Sequence, residues 1–222
     1  MPPTNHHNGE KVQVGPLGLA GVLSVMPQAL GLVVFAHGSG SSRLSPRNRF
    51  VAEALQQERL ATLMFDLLEG AEADERDKVF DIDLLAGRLE QAMAWAQAHP
   101  GLGALPLGLF GASTGAAAAL VAAARRPGQV RAVVSRGGRP DLAGEALARV
   151  RAPTLLIVGG LDEDVLALNR QAMTRMTQCE HRLDIVRGAT HLFEEAGTLQ
   201  AVARLARSWF CAHFERAGGA DV

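Results

Sequence analysis

The chain has 222 residues, of which 48% are hydrophobic and 20% are charged. This balance supplies a sizeable core and excludes a disordered chain. Lys and Arg (22) nearly offset Asp and Glu (23), and no basic stripe interleaves with aromatic residues, so nucleic acid is not predicted as a partner. We predict one domain over residues 1–222, with residues 1–10 as a flexible tail.

The cysteine content and the N-terminal sequence indicate where in the cell we expect the protein. Cys179 and Cys211 are too few for a disulfide framework and lack the spacing of a zinc or redox site. The polar N-terminus lacks the basic-then-apolar order of a signal peptide. The apolar stretch Ala116 to Ala124 is far shorter than the roughly 20 residues of a membrane helix. We therefore expect a soluble, cytoplasmic protein with no membrane partner.

Along the chain, a glycine-rich segment from Lys11 to Met26 predicts a β-hairpin at a sheet edge. Short, continuous apolar runs then alternate with stretches of helical periodicity. Because strand and helix alternate, the strands pair in parallel through right-handed crossovers, which predicts an α/β fold with helices on both faces of a mostly parallel sheet. The predicted strands are Leu32–Phe35, Ala61–Phe65, Leu107–Phe110, Val130–Val134, Thr154–Val158 and Leu183–Val186, and the predicted helices are Arg49–Glu58, Asp83–Ala98, Gly115–Arg125, Val165–Met176 and Leu199–Phe214.

One longer irregular segment, Leu67 to Phe80, is rich in Glu and Asp. Such a composition is typical of a solvated surface loop, which is our prediction, and a lid or partner-binding role is the alternative. The other connections are short, so the sequence leaves no room for a large cap domain.

The pentapeptide Gly111-Ala112-Ser113-Thr114-Gly115 fits the pattern G-x-S-x-G. It follows a predicted strand and precedes an alanine-rich helix, which is the setting of a nucleophile elbow. The turn would expose the Ser113 hydroxyl as a nucleophile and place the Thr114 N–H at a helix N-terminus, where it favours a developing negative charge. A Gly-Ser loop that only caps the helix is the alternative.

A serine hydroxyl needs a base within hydrogen-bond reach and a group that orients the base. Of the histidines, only His37 and His191 follow strands, and His191 is our predicted base. Asp162 is our predicted acid, because it lies nearest to the end of the predicted strand Thr154–Val158. Glu163 and Asp164 compete for this role, and Asp164 is the fallback.

The loop Ala36-His37-Gly38-Ser39-Gly40-Ser41-Ser42 follows the first predicted parallel strand. It is similar to the HGxG-type loop that supplies a second oxyanion donor, and we predict that the Ser39 N–H is this donor. His37 itself is interpreted as a residue that shapes the loop.

Together these motifs resemble the α/β-hydrolase superfamily, and more narrowly its dienelactone-hydrolase-like branch of small enzymes without a large cap. The resemblance implies the α/β-hydrolase fold and acyl transfer on a small-molecule ester, a chemistry that calls for no cofactor and no metal. The matching stretches span about Leu32 to Phe214 and are Phe35-Ala36-His37-Gly38-Ser39-Gly40-Ser41-Ser42-Arg43, Gly111-Ala112-Ser113-Thr114-Gly115, Val158-Gly159-Gly160-Leu161-Asp162 and Gly188-Ala189-Thr190-His191-Leu192-Phe193.

The nucleophile departs from that branch in one respect. In the branch that this chain resembles, true dienelactone hydrolases are expected to have a cysteine as the nucleophile of the elbow, whereas this chain has Ser113. A thiolate and a base-activated hydroxyl differ in reactivity, so we predict a general hydrolase of short-acyl carboxylic esters. Dienelactone or lactone hydrolysis is the alternative within this class, and a non-catalytic ligand-binding protein is the alternative outside it.

Two arginines flank the predicted site, Arg43 and Arg136. Either one is a candidate for binding a carboxylate or phosphate of the substrate, and the alternative is that both brace loops by pairing with acidic residues. Two features weigh against a dehydrogenase: the glycine spacing is not G-x-G-x-x-G, and the chain has no tyrosine for a Tyr-x-x-x-Lys pair.

Overall fold

The structure is a computed structural model that describes residues 9–218. Within this range eight strands form one sheet. The first strand begins at Glu10, so the predicted tail of residues 1–10 is too long at its C-terminal end, and residues 1–8 lie outside the described part. The strands are β1 (Glu10–Val14), β2 (Leu19–Ser24), β3 (Gly31–Ala36), β4 (Leu60–Phe65), β5 (Leu107–Ala112), β6 (Val130–Arg136), β7 (Thr154–Gly159) and β8 (His181–Val186).

The strand order is β1-β2-β4-β3-β5-β6-β7-β8. β1 and β2 form the predicted antiparallel hairpin at one edge, and β2 joins β4 in antiparallel pairing. The remaining neighbours, from β4 to β8, pair in parallel. The α/β prediction of a mostly parallel sheet is therefore confirmed, with the hairpin as its antiparallel part.

Helices cover both faces of this sheet. Two 3₁₀ segments, Glu72–Asp74 and Pro140–Arg149, were not predicted, and the second of these replaces a regular helix between β6 and β7. Gly144, with φ 52°, interrupts it with a kink. The helices are α1 (Pro46–Gln56), α2 (Arg76–Phe80), α3 (Ile82–Ala98), α4 (Thr114–Arg125), α5 (Glu163–Met173) and α6 (Thr198–Gly218).

Strand alternation divides the core into two layers. In β3, Leu32 and Val34 face the layer that contains α3 and α4, whereas Val33 and Phe35 face the layer of α1 and α6. Buried apolar residues on both faces explain why the parallel strands read as continuous apolar runs. The small side chains of α4 are buried along nearly its whole length, which lets this helix pack closely against the sheet, α3 and the second 3₁₀ segment.

Two sequence predictions need correction. The last strand, β8, was predicted to be buried, but it lies at the sheet edge with β7 as its neighbour, and Ile185 is 41% exposed. The segment Leu67 to Phe80 was predicted as a loop, but it contains a 3₁₀ turn and α2. Within residues 9–218, no helix is both long enough and apolar enough to cross a membrane.

Candidate active site

The turn after β5 holds Ser113 in a strained backbone conformation, with φ 51° and ψ −121°. A non-glycine residue at positive φ costs free energy, so the surroundings must enforce it. The flanking glycines show how. A Cβ on Gly115 would lie 2.2 Å from the Ala36 carbonyl oxygen, and one on Gly111 would lie 2.4 Å from the Ala116 Cα. Only glycine at these positions lets strand and helix approach closely enough to form the turn.

The end of β6 braces the same turn from the side. The Ser113 N–H donates to the Arg136 carbonyl at 3.3 Å, and the Arg139 N–H donates to the Ser113 carbonyl at 3.1 Å. Both backbone groups of Ser113 are therefore bound, which leaves its half-buried side chain as the free part of the residue.

His191 and Asp162 meet beyond the ends of β7 and β8. Nδ1 of His191 lies 2.6 Å from Oδ2 of Asp162. This contact holds the imidazole with Nδ1 toward the carboxylate, which leaves Nε2 to face away from it. Glu163 and Asp164 are exposed in the first turn of α5, and the hydrogen bonds and ion pairs of the described residues include none between either of them and His191. The structure thus pairs His191 with the residue that the sequence analysis preferred.

Gly137 connects this pair to the serine turn. It directly follows Arg136, whose carbonyl binds the Ser113 N–H, and a Cβ on Gly137 would lie 3.6 Å from Cε1 of His191. The hydrogen bonds of the described residues include none between the Ser113 hydroxyl and His191. In ligand-free enzymes such bonds are often long and tighten when substrate binds.

The histidine loop has a further brace that the sequence analysis missed. The Glu195 carboxylate accepts hydrogen bonds from the Thr190 hydroxyl at 2.6 Å and from the Thr190 N–H at 3.1 Å. The hydroxyl contact is the main cause that lowers the pKa of Glu195. No motif marks this pair in the sequence, because the loop brings the two residues together only when it folds back on itself.

The predicted oxyanion loop lies against Ser113, since a Cβ on Gly38 would lie 2.9 Å from the Ser113 Cβ. The Ser39 N–H, predicted as the second oxyanion donor, donates to Oγ1 of Thr114 at 3.0 Å in this structure. The role of Ser39 toward an oxyanion stays a prediction. Thr114 is the first residue of α4, and its own N–H has no acceptor among the backbone hydrogen bonds of the described residues.

His37 holds the oxyanion loop in place. Its Nδ1 donates to the Gly38 carbonyl at 3.0 Å, and its Nε2 accepts the Leu67 N–H at 3.0 Å. Accepting at Nε2 requires the neutral ring. Loss of hydration lowers the pKa of His37 and so favours this neutral form, while the hydrogen bond to the Gly38 carbonyl and the charge of Asp66 act in the opposite direction.

A cavity of about 420 Å³ opens beside the Ser113 turn, and both Ser39 and Thr114 line it. Its other wall comes largely from the segment predicted as a solvated loop, which turns apolar side chains inward. The lining residues are 37–42, Asp66, Leu67, Leu68, Gly70, Ala73, Asp74, Val79, Leu85 and Thr114.

The two candidate substrate-binding arginines have different surroundings. Arg43 forms an ion pair with Asp66 and also donates its N–H to the same carboxylate at 2.7 Å, so it braces the loop. Arg136 is 7% exposed and points into the layer of α1, where its Nη2 donates to Oδ1 of Asn48 at 3.2 Å. Burial, and then the charge of Arg47, lowers the pKa of Arg136 to about 10.

The Arg136 side chain also reaches the histidine loop. Its Cζ lies 6.0 Å from the centroid of the Phe193 ring, and Phe193 is itself at positive φ, 56°. The Nε of Arg136 is buried and has no hydrogen-bond partner among the described residues. Arg136 thus connects α1, the serine turn and the loop that carries His191.

Comparison with known proteins gives relatives of two kinds. The model of the Dienelactone hydrolase family matches residues 53–212. A dienelactone hydrolase structure from Anabaena variabilis is 54% identical, with a TM-score of 0.88 over 94% of this chain and 99% of that one. XC6422 from Xanthomonas campestris, described as a serine hydrolase without a lid, shares the fold at 19% identity, with a TM-score of 0.74 over 96% of this chain and 97% of that one.

Two Mycobacterium tuberculosis proteins, from strains H37Rv and CDC 1551, are each 58% identical over 207 residues and carry the name "Putative phosphoribosyl transferase". The match covers 92% of this chain but 46% of theirs, so the chain spans about half the length of these relatives. The family match covers most of the chain, and the similar Anabaena structure agrees with it. The chain therefore belongs to the dienelactone hydrolase family of α/β hydrolases.

Proposed function

We propose that the chain is a serine hydrolase that cleaves short-acyl carboxylic esters, with Ser113 as nucleophile, His191 as base and Asp162 as the group that orients the base. The observation that carries this proposal is the 2.6 Å contact between His191 and Asp162. It lies at the same edge of the sheet as a serine held at φ 51°. A strained turn is retained where the surroundings enforce it, and such turns cluster at catalytic sites.

The first half of the reaction forms an acyl-enzyme. Nε2 of His191 takes the proton of the Ser113 hydroxyl as its Oγ attacks the ester carbonyl carbon, and Asp162 stabilises the imidazolium that results. The tetrahedral intermediate collapses, the bond to the alcohol oxygen breaks, and the imidazolium returns its proton to the leaving alcohol. The acyl group remains on Ser113.

The second half repeats these steps with water. His191 takes a proton from water as the oxygen adds to the acyl carbon. Collapse of this intermediate breaks the bond between the acyl carbon and Oγ, the imidazolium returns its proton to Oγ, and the carboxylic acid leaves. In both halves the carbonyl oxygen becomes negative. The uncommitted Thr114 N–H, at the N-terminus of α4, is a donor for this charge.

The cavity of about 420 Å³ supports a small substrate. One wall of the cavity is apolar, and the hydroxyl-rich loop 39–42 supplies polar groups. The apolar wall consists of Leu67, Leu68, Val79 and Leu85. A short acyl chain would lie against the apolar wall. Lactones present the same carbonyl chemistry, so dienelactone or lactone hydrolysis is the alternative within this reaction type.

Transfer of a phosphoribosyl group is a second candidate, favoured by the name of the relatives that are 58% identical. The chain matches 46% of their length, and we assign the named activity to their other part. An assay of diphosphate release from phosphoribosyl diphosphate would test this assignment. We expect no release by this chain, and any enzymatic release would contradict the assignment.

Labelling with a fluorophosphonate probe tests the nucleophile directly. We expect the probe to modify Ser113 in the folded protein, because the probe reacts with base-activated serines. Ser113→Ala should abolish both labelling and hydrolysis of p-nitrophenyl acetate, while Ser208→Ala, at a position on α6 away from the site, should change neither. An unlabelled wild type with no ester turnover would favour a non-catalytic binding protein.

A substrate panel tests the proposed specificity. Purified protein would be assayed with p-nitrophenyl esters of increasing acyl length, with lactones and with amides. We expect kcat/KM to be highest for short acyl esters, because the cavity is small and partly apolar. Faster turnover of lactones than of every linear ester would favour the alternative.

A further inference from the structure

The two residues predicted to bind the oxyanion, Ser39 and Thr114, are hydrogen-bonded to each other through the Thr114 hydroxyl. The Ser39 N–H donates to Oγ1 of Thr114 at 3.0 Å. The two residues are 75 positions apart in the sequence, and both line the cavity beside the nucleophile. Thr114 directly follows Ser113, so the hydroxyl that accepts the Ser39 N–H belongs to a residue next to the proposed nucleophile and on the wall of the cavity.

The hydrogen-bonding capacity of this hydroxyl is only partly used. A threonine hydroxyl has one proton to donate and two lone pairs that accept. One lone pair of Oγ1 receives the Ser39 N–H, and the hydrogen bonds of the described residues give its proton no acceptor. Thr114 is 2% exposed, so bulk water has little access to this proton from any side except the cavity.

We propose that the Thr114 hydroxyl is a catalytic donor to the oxyanion, polarised by the Ser39 N–H that it accepts. This inference rests on the proposed esterase function. Thr114 then supplies two donors, its N–H and its hydroxyl, and the Ser39 N–H acts through the hydroxyl. A hydroxyl that accepts a hydrogen bond is polarised and donates its own proton more strongly. The chain of hydrogen bonds from the Ser39 N–H to the Thr114 hydroxyl to the oxyanion is therefore cooperative.

Removal of the hydroxyl with little change of volume tests the role. Thr114→Val should lower kcat for p-nitrophenyl acetate at least about tenfold with KM within about twofold, because the donor acts mainly on the charged intermediate. Thr114→Ser keeps the hydroxyl and should keep kcat within about threefold. The matched control is Thr62→Val, since Thr62 is 1% exposed and its hydroxyl also accepts one hydrogen bond, from Gln56 at 2.8 Å. It should leave kcat unchanged.

A tetrahedral analogue gives a second readout that a purely structural role would not move. A trifluoromethyl ketone adds to Ser113 and places an oxyanion in the site, so Thr114→Val should weaken its inhibition by about the factor lost in kcat/KM. Inhibition by the unreactive methyl ketone of the same chain length should change less than twofold. If Thr114→Val does not fold, Thr114→Ala is measured in the same way.

The opposite result is equally definite. If Thr114→Val keeps or exceeds the wild-type kcat, the freed Ser39 N–H binds the oxyanion directly, and the inference is overturned while the esterase proposal stands. If the wild type neither hydrolyses any ester nor labels with the fluorophosphonate, both proposals are overturned.

Discussion

Two histidines follow strands of the parallel sheet, and the structure holds them in different ways. His37 is bound at both ring nitrogens by backbone groups of two loops. His191 is bound at Nδ1 by a carboxylate, and its side chain is 39% exposed. Both rings lie near the Ser113 turn. Gly38 adjoins Ser113, and Gly137 lies beside His191 and directly follows Arg136, whose carbonyl accepts the Ser113 N–H.

The hydrogen bonds of the two rings indicate a structural role for His37 and a chemical role for His191. A ring with both nitrogens engaged has no free site at which to take a proton, whereas a ring bound only at Nδ1 keeps Nε2 available. On the proposed function, the His37 ring therefore supports the loop 36–42, and the His191 ring carries out the proton transfer. Substitutions in the two loops should affect different quantities, which provides the tests that follow.

The largest contrast is expected in activity. His191→Ala should lower kcat for p-nitrophenyl acetate by roughly 10⁴-fold or more, because no other group would accept the Ser113 proton. His37→Gln keeps an acceptor for the Leu67 N–H and should lower kcat less than about tenfold. Steady-state kinetics on both variants checks this. Losses of similar size would contradict the division of roles.

The carboxylate that holds His191 should matter almost as much. Asp162→Asn should lower kcat by about 10³- to 10⁴-fold, because an amide can hold the imidazole in the wrong tautomer and cannot stabilise the imidazolium. Asp164→Asn, its neighbour in the first turn of α5, should stay within about twofold of the wild type. The reverse order in the kinetic comparison would show that Asp164 is the acid.

Stability should reverse the ranking of the two loops. His37→Ala leaves the Leu67 N–H without its acceptor and should lower the free energy of unfolding by about 1 to 3 kcal/mol. His191→Ala removes a more exposed ring and should lower it by less than about 1 kcal/mol. Urea denaturation followed by circular dichroism measures both. A larger loss for His191→Ala would mean that its loop is the structural one.

His37 should also make stability depend on pH. Burial lowers its pKa from 6.5 in the folded chain, so the unfolded chain binds a proton more readily. Its contribution is complete above about pH 6.5 and is lost as the pH falls below that value. The free energy of unfolding should therefore decline less steeply between pH 7 and pH 5 in His37→Gln than in the wild type. Equal slopes in urea titrations would refute this.

The smallest effect concerns the brace beside His37. Arg43 and Asp66 are 30% and 20% exposed at their side chains, so Arg43→Ala should lower the free energy of unfolding by about 1 kcal/mol or less. KM for esters that carry a carboxylate should change less than about twofold, because the guanidinium is already paired. A selective rise of KM for such esters would restore Arg43 as a substrate-binding residue.

Local patterns of apolar residues are sufficient to predict much of the fold. Continuous apolar runs mark parallel strands that are buried on both faces, and this holds for β3 to β7. The pattern misled for β8, because an edge strand has one neighbour and the same apolar run remains partly exposed. For residues 67–80 the acidic composition predicted a solvated loop, although several apolar side chains of this segment line the cavity.

The sequence by itself determined the fold class and the order in which Ser113, Asp162 and His191 follow their strands, because chain order and strand ends are local properties. Tertiary structure decided which side chains meet. It paired His191 with Asp162 across 29 positions, Arg43 with Asp66 across 23, and the Ser39 N–H with Thr114 across 75. These contacts depend on how distant loops converge at one edge of the sheet, and no local pattern encodes that convergence.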